Sequence, residues 1–212
     1  MHIPDGFLSI PVAASTYVIS GSWVGYSIKR VREEAGEKAI PTMGVLAAFI
    51  FAAQMINFPV AGGTSGHLVG GTLIAILFGP YVASIIMSTI LIAQSLLFAD
   101  GGITALGANI LNMGIIAPIV GFVIYRALRK WHFKASIFIA SWVSIVLSAA
   151  ACALELSLSG TIPINVSLPA MVSVHALIGI GEGLITLFVI LAIEKFNPDL
   201  IVNAKLHTNN AR

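Results

Sequence analysis

An all-α membrane bundle is the fold class this sequence predicts, and three observations predict it. Of 212 residues, 58% are hydrophobic and 9% charged, against about 25% charged in a soluble domain. Mean hydropathy is +0.97. The apolar residues are gathered into segments of the length that crosses a bilayer, about 20 residues each. With 11 Lys and Arg, 9 Asp and Glu, and a net charge of +2, too few charges remain to cover a water-exposed surface. That excludes a soluble enzyme, a nucleic-acid binder and a disordered chain.

Six segments have spanning length: Ser9–Ile28, Pro41–Phe58, Tyr81–Phe98, Ile103–Tyr125, Ala135–Leu156 and Leu168–Ile193. A seventh, His67–Phe78, is apolar but only 12 residues long. Basic residues decide its role. They cluster as Lys29, Arg30, Arg32 and Lys38; as Arg126, Arg129, Lys130 and Lys134; and as Lys195, Lys205 and Arg212. Six crossings would split them 4 against 7, whereas seven place all 11 on one side, as the positive-inside rule favours. The short segment is therefore expected to carry the chain across with help from the loop before it. The expectation is seven transmembrane helices with the third one short, the N-terminus outside and inserted toward the bundle, and the C-terminus cytoplasmic. Asp5, Asp100 and Glu155 then fall on an acidic outer side that attracts cations.

The first segment lacks the basic start of a secretory signal and is read as retained. The whole chain, 1–212, reads as one transmembrane domain. Within it, the N-terminal segment 1–8 and the glycine-rich outer loop 59–67 stand out. Cys152 sits alone in an apolar run, so no disulfide within the chain and no Cys-x-x-Cys site is available.

The chain opens Met1-His2-Ile3-Pro4-Asp5-Gly6-Phe7-Leu8. The amine of Met1 and the backbone nitrogen of His2 close a five-membered chelate ring. Nδ1 of the His2 imidazole closes a six-membered ring on the same amide. An amide nitrogen binds metal only when deprotonated, and square nitrogen coordination is typical of Cu²⁺ and Ni²⁺, with Co²⁺ also open; Zn²⁺ favours a tetrahedron and Mg²⁺ or Ca²⁺ favour oxygen. Pro4-Asp5-Gly6 is turn chemistry that constrains the terminus. The plainer reading is a short polar start to the first helix.

His67 lies in Ala61-Gly62-Gly63-Thr64-Ser65-Gly66-His67-Leu68-Val69-Gly70-Gly71, with five glycines around one imidazole. Irregular backbone at membrane depth is tolerated where it is buried or lines a cavity. Such a loop presents His67 Nε2 as a fourth nitrogen; alternatively, His67 only starts a short helix. His175, Gly179 and Glu182 share one helical face. An intramembrane carboxylate is a functional hypothesis by default, and the competing reading is an interhelical hydrogen bond. Gln54, Asn57, Gln94, Asn109 and Asn112 interrupt apolar runs and fit interhelical bonding or ligand orientation. Candidates for holding the terminal loop or orienting a ligand are Asp5, Asn57, Ser65, Asn109 and His175. No phosphate-binding P-loop and no His-Glu-x-x-His pattern is present,.

With Met1-His2-Ile3-Pro4-Asp5-Gly6-Phe7-Leu8 and the Gly63-Thr64-Ser65-Gly66-His67 loop, the sequence resembles the CbiM/NikM family over essentially its whole length. These are the substrate-binding components of energy-coupling-factor transporters for nickel and cobalt. The resemblance implies metal ligation by Met1, His2 and His67, and points to a nickel member, with Ni²⁺ or Co²⁺ as transported substrate. It implies a multi-pass protein of a prokaryotic cell membrane that is not itself an enzyme. It also implies partners: a transmembrane coupling protein, cytoplasmic ATPase subunits and a small accessory membrane subunit. That accessory part is expected as a separate protein, because the sequence stops at Arg212. The rival is a self-sufficient secondary transporter with Glu182 and His175 as a proton relay.

Overall fold

The computed structural model describes residues 1–34, 40–56, 58–60 and 64–196. Seven helical elements lie among them, one overlapping each predicted segment: α1 (Ile10–Glu34), α2 (Ile40–Gln54), α3 (Gly71–Phe78), α4 (Pro80–Leu97), α5 (Leu106–Leu128), α6 (Phe133–Leu158) and α7 (Ile164–Phe196). Between α2 and α3 runs a short antiparallel hairpin, β1 (Phe58–Val60) and β2 (Thr64–Gly66), in which Phe58 pairs with Gly66 and Val60 with Thr64. Pro59 explains part of this departure from all-helix, because a residue before proline is pushed toward extended backbone.

Among the described residues, α4, α5, α6 and α7 are long and apolar enough to cross a membrane. α3 is not, with 8 residues or about 12 Å of helix. It lies instead in the middle of the protein: every residue from Gly71 to Leu77 is buried. The buried stretch around His67, Val69 and Gly70 leads into it as irregular chain. Gly70 there has φ +77°, and a Cβ would lie 3.0 Å from Ile50 Cγ2 and closer still to Cδ1. Only glycine fits that turn against α2.

α5 widens to a π-helix over Ile110–Ile116. Pro118 follows, and a proline donates no N–H to an α ladder. α6 and α7 form a long antiparallel pair. The Gly179-x3-Gly183 spacing serves this pair, with the two glycines set against Ile145, Trp142 and Phe138. Small residues thus let the two backbones approach. Leu177 and Phe188 on the outward side of α7 are exposed, as lipid contact requires. Glu155, expected on the acidic outer side, does not lie open to solvent. It is buried, and its Oε2 accepts from Asn112 Nδ2 at 2.6 Å.

Candidate functional site

The first three residues enter the bundle rather than fray. Met1 and Ile3 have no exposed surface, and His2 has 4%. A polar terminus stays ordered only if its backbone finds partners, and here it does. The Ile3 N–H donates to Asn109 Oδ1 at 2.8 Å. The Ile3 carbonyl accepts from Asn109 Nδ2 at 3.1 Å and from the Gly102 N–H at 2.9 Å. Asp5 Oδ1 accepts from both the N–H and the hydroxyl of Thr104, each at 2.6 Å, which holds its carboxyl below its ordinary range. The Thr161 hydroxyl donates to the Phe7 carbonyl.

The cradle for this segment is Asp100-Gly101-Gly102, between α4 and α5. A Cβ on Gly102 would sit 2.6 Å from the Pro4 carbonyl carbon and closer still to the Asp5 nitrogen. Backbone lies on backbone there, and only glycine permits it.

Pinned in this way, the Met1 amine lies 3.0 Å from His67 Nε2, an approach of two residues 66 positions apart. The His2 and His67 rings stack with centroids 4.6 Å apart. His67 is buried, and its Nδ1 donates to its neighbour's carbonyl, Leu68 O, at 2.8 Å. That fixes the hydrogen on Nδ1 and leaves the Nε2 lone pair facing the amine. His2 Nδ1 lies 3.3 Å from Asp100 Oδ1, while His2 Nε2 lies 3.0 Å from Gln94 Oε1. Gln94 Nε2 donates to Gln54 Oε1 at 2.9 Å, and Gln54 Nε2 donates to Val69 O at 2.7 Å. Both Glu182 oxygens serve the same stretch, accepting from the Val69 and Gly70 N–H groups at 2.8 and 2.9 Å.

Burial sets the protonation of these nitrogens. Loss of water pushes the Met1 amine from 8.0 down to about 5. Burial, then the neighbouring amine, push His2 from 6.5 to about 3. The same two causes, with His2 added, hold His67 well below 6.5. At neutral pH the docked terminus offers three uncharged nitrogen bases, the protonation state in which nitrogen binds a metal.

Of the residues singled out in the sequence, Met1, His2, His67, Asp5 and Asn109 meet at this site. His175 is buried, with Nδ1 bonded to Met171 O at 2.8 Å, and lies within electrostatic reach of the amine and His67. Asn57 and the side chain of Ser65 lie outside the described residues. The sequence leaves Gln54 and Gln94 open between interhelical bonding and orienting a ligand, and both lie beside the terminus; it does not assign Glu182, Gly102 or Thr104 a place there, although Asp100-Gly101-Gly102 carries visible turn chemistry. Among the described residues, no three His, Cys, Asp or Glu side chains converge as a metal cluster. The nitrogen gathered here comes from two imidazoles and the end of the backbone.

Four membrane-length helices around an inserted, nitrogen-rich terminus define a multi-pass membrane protein. The family described as the cobalt uptake substrate-specific transmembrane region, CbiM, matches residues 2–200, and the chain belongs to this CbiM/NikM family. It is 46% identical over 203 residues to an Archaeoglobus fulgidus protein carrying the name fused nickel transport protein NikMN, covering 95% of this chain and 68% of that one. A Haloquadratum walsbyi protein named for metal transport is 40% identical over 203 residues, covering 95% and 93%. A crystal structure described as a transition metal transporter superposes with TM-score 0.88 at 37% identity, covering 96% of each chain. The relatives are thus named for nickel transport, metal transport and transition metal transport, not as enzymes.

Proposed function

We propose that this chain is the substrate-binding component of an ATP-driven energy-coupling-factor uptake transporter, and that its substrate is Ni²⁺, with Co²⁺ as the alternative. The metal is held by the Met1 amine, the deprotonated His2 amide, His2 Nδ1 and His67 Nε2, in a near-square plane close to the outer face. The observation that carries this reading is the 3.0 Å approach of the Met1 amine to His67 Nε2. Metal–nitrogen bonds of about 2 Å put neighbouring corners of a square about 2.9 Å apart. The pair therefore already stands at the separation of one edge. The His2 amide and Nδ1 complete the other corners by local chelation.

A square of four nitrogens suits Ni²⁺, and the Archaeoglobus relative is named for nickel. Seven crossings with the terminus outside place the site where an incoming ion meets it, and the short α3 completes its crossing through the buried chain before it. ATP hydrolysis belongs to cytoplasmic partner subunits, acting through a transmembrane coupling protein and aided by a small accessory membrane subunit.

Nickel titration calorimetry on two purified chains tests this reading. One carries the Met1 terminus; the other has one alanine added before it, which alters no side chain but takes the amine out of its chelate ring. Loss of tight binding in the extended chain is expected. Equal binding by both would rule out the terminal amine as a ligand.

A further inference from the structure

The buried amides between the two histidine-bearing segments have a direction, and that direction has a chemical consequence. It starts at the Val69 carbonyl, which only accepts. Gln54 therefore turns Nε2 toward it, at 2.7 Å, and its Oε1 faces away. That oxygen in turn accepts from Gln94 Nε2 at 2.9 Å, so Gln94 Oε1 faces His2 Nε2 at 3.0 Å. An amide oxygen has no hydrogen to give, so His2 Nε2 carries one. Reversing either glutamine would press like against like, acceptor on acceptor or donor on donor. Both side chains are wholly buried, where a mismatched polar group is costly.

We propose that Gln54 and Gln94 form a one-way relay that sets the tautomer of His2, keeping hydrogen on Nε2 and presenting Nδ1 as a lone pair. The relay matters because Asp100 Oδ1 stands 3.3 Å from Nδ1. Alone, that carboxylate would draw the hydrogen to Nδ1 and block the chelate ring. His67 has the simpler version of the device, its Nδ1 hydrogen being tied to Leu68 O. The relay also ends two residues beyond His67, so one chain of bonds holds both imidazole-bearing segments in register. The glutamines are positioning residues, and their role depends on the four-nitrogen site proposed above.

The test uses the full chain in detergent. Long-range proton–nitrogen correlation on the metal-free protein, labelled with ¹⁵N in its imidazoles, reports the tautomer; His2 is assigned by its loss in His2→Gln. Hydrogen on Nε2 is expected, and hydrogen on Nδ1 overturns the relay whatever the variants do. Nickel affinity is then compared across three substitutions. Gln94→Met removes the acceptor and should lower affinity about 10–100-fold, the usual effect of losing a group that orients a ligand. Gln94→Glu keeps an oxygen toward Nε2 and, as the neutral acid, an O–H toward Gln54, so it should stay close to native. Gln94→Lys offers only donors and should both move the hydrogen to Nδ1 and abolish tight binding. Native affinity in Gln94→Met, or equal losses in Gln94→Met and Gln94→Glu, would overturn the relay. The alanine-extended chain, measured alongside, decides the four-nitrogen site separately.

Discussion

Asn109 pairs with Ile3 as one strand pairs with another. Its Oδ1 accepts the Ile3 N–H at 2.8 Å, and its Nδ2 donates to the Ile3 carbonyl at 3.1 Å, across 106 positions of sequence. One buried side chain thereby fixes the backbone immediately after His2. Asn109→Leu strands the Ile3 N–H, while the carbonyl keeps its bond from Gly102. An unsatisfied buried donor costs about 1–3 kcal/mol. Nickel affinity should fall about 10–100-fold with helix content unchanged, read by calorimetry and circular dichroism. Affinity within error of native would mean that the chelate is held without this pairing.

Gly102→Ala tests the cradle. The added carbon meets the backbone of Pro4 and Asp5, and backbone does not swing aside as a side-chain end does. The terminal segment must lift, taking the Met1 amine away from His67. Tight nickel binding should be lost. Gly21→Ala, which meets nothing within 4 Å, is the control and should bind as native. If both variants bind alike, the terminus is not seated on the 100–102 loop.

The parts of this architecture that were legible in sequence are those set by local chemistry. Apolar length marked all seven helical segments. The chelate proposed at Met1 and His2 rests on two adjacent residues, and the glycines around His67 announced an irregular chain. What stayed hidden depends on contacts far apart in sequence. Gln54 and Gln94 look like any interhelical amides until Val69 O supplies their direction. Glu155 sits near a helix end, and its sequence neighbours do not show that it is buried against Asn112. Gly102 reads as a turn, and only the backbone of Pro4 and Asp5 lying on it shows why a side chain is excluded. The end of α2 at Gln54 was overrun because the apolar pattern continues into β1.

Protons should report whether the terminus is seated before metal arrives. The Met1 amine, at about 5 instead of 8.0, is a base with a depressed value, as are His2 and His67. The docked chain therefore binds fewer protons than one whose terminus is loose in water. Docking without metal strengthens as pH rises from about 5 to 8 and is lost as pH falls through that window. At pH 7 the seated nitrogens are already neutral, so nickel should displace about one proton, that of the His2 amide. Calorimetry in buffers of different ionisation enthalpy counts it. Release of about two or more would mean that the amine is still solvated and charged when the ion binds.

Glu182 separates the two transport mechanisms. Both of its oxygens are engaged by the Val69 and Gly70 N–H groups, which makes it a clamp on the chain leading from His67 into α3. Glu182→Gln keeps one acceptor and turns an NH₂ toward the other N–H, leaving a buried donor unmet at about 1–3 kcal/mol. A clamp predicts nickel affinity lowered about tenfold or more, with uptake by the assembled transporter recovering at saturating nickel and still requiring ATP. A proton relay through Glu182 and His175 predicts a different pattern in transport: the lost bond to Val69 or Gly70 lowers affinity under either mechanism, but uptake would then be abolished at any nickel concentration. Measuring affinity and uptake on the same variant distinguishes the two, and the bonds to Val69 and Gly70 favour the clamp.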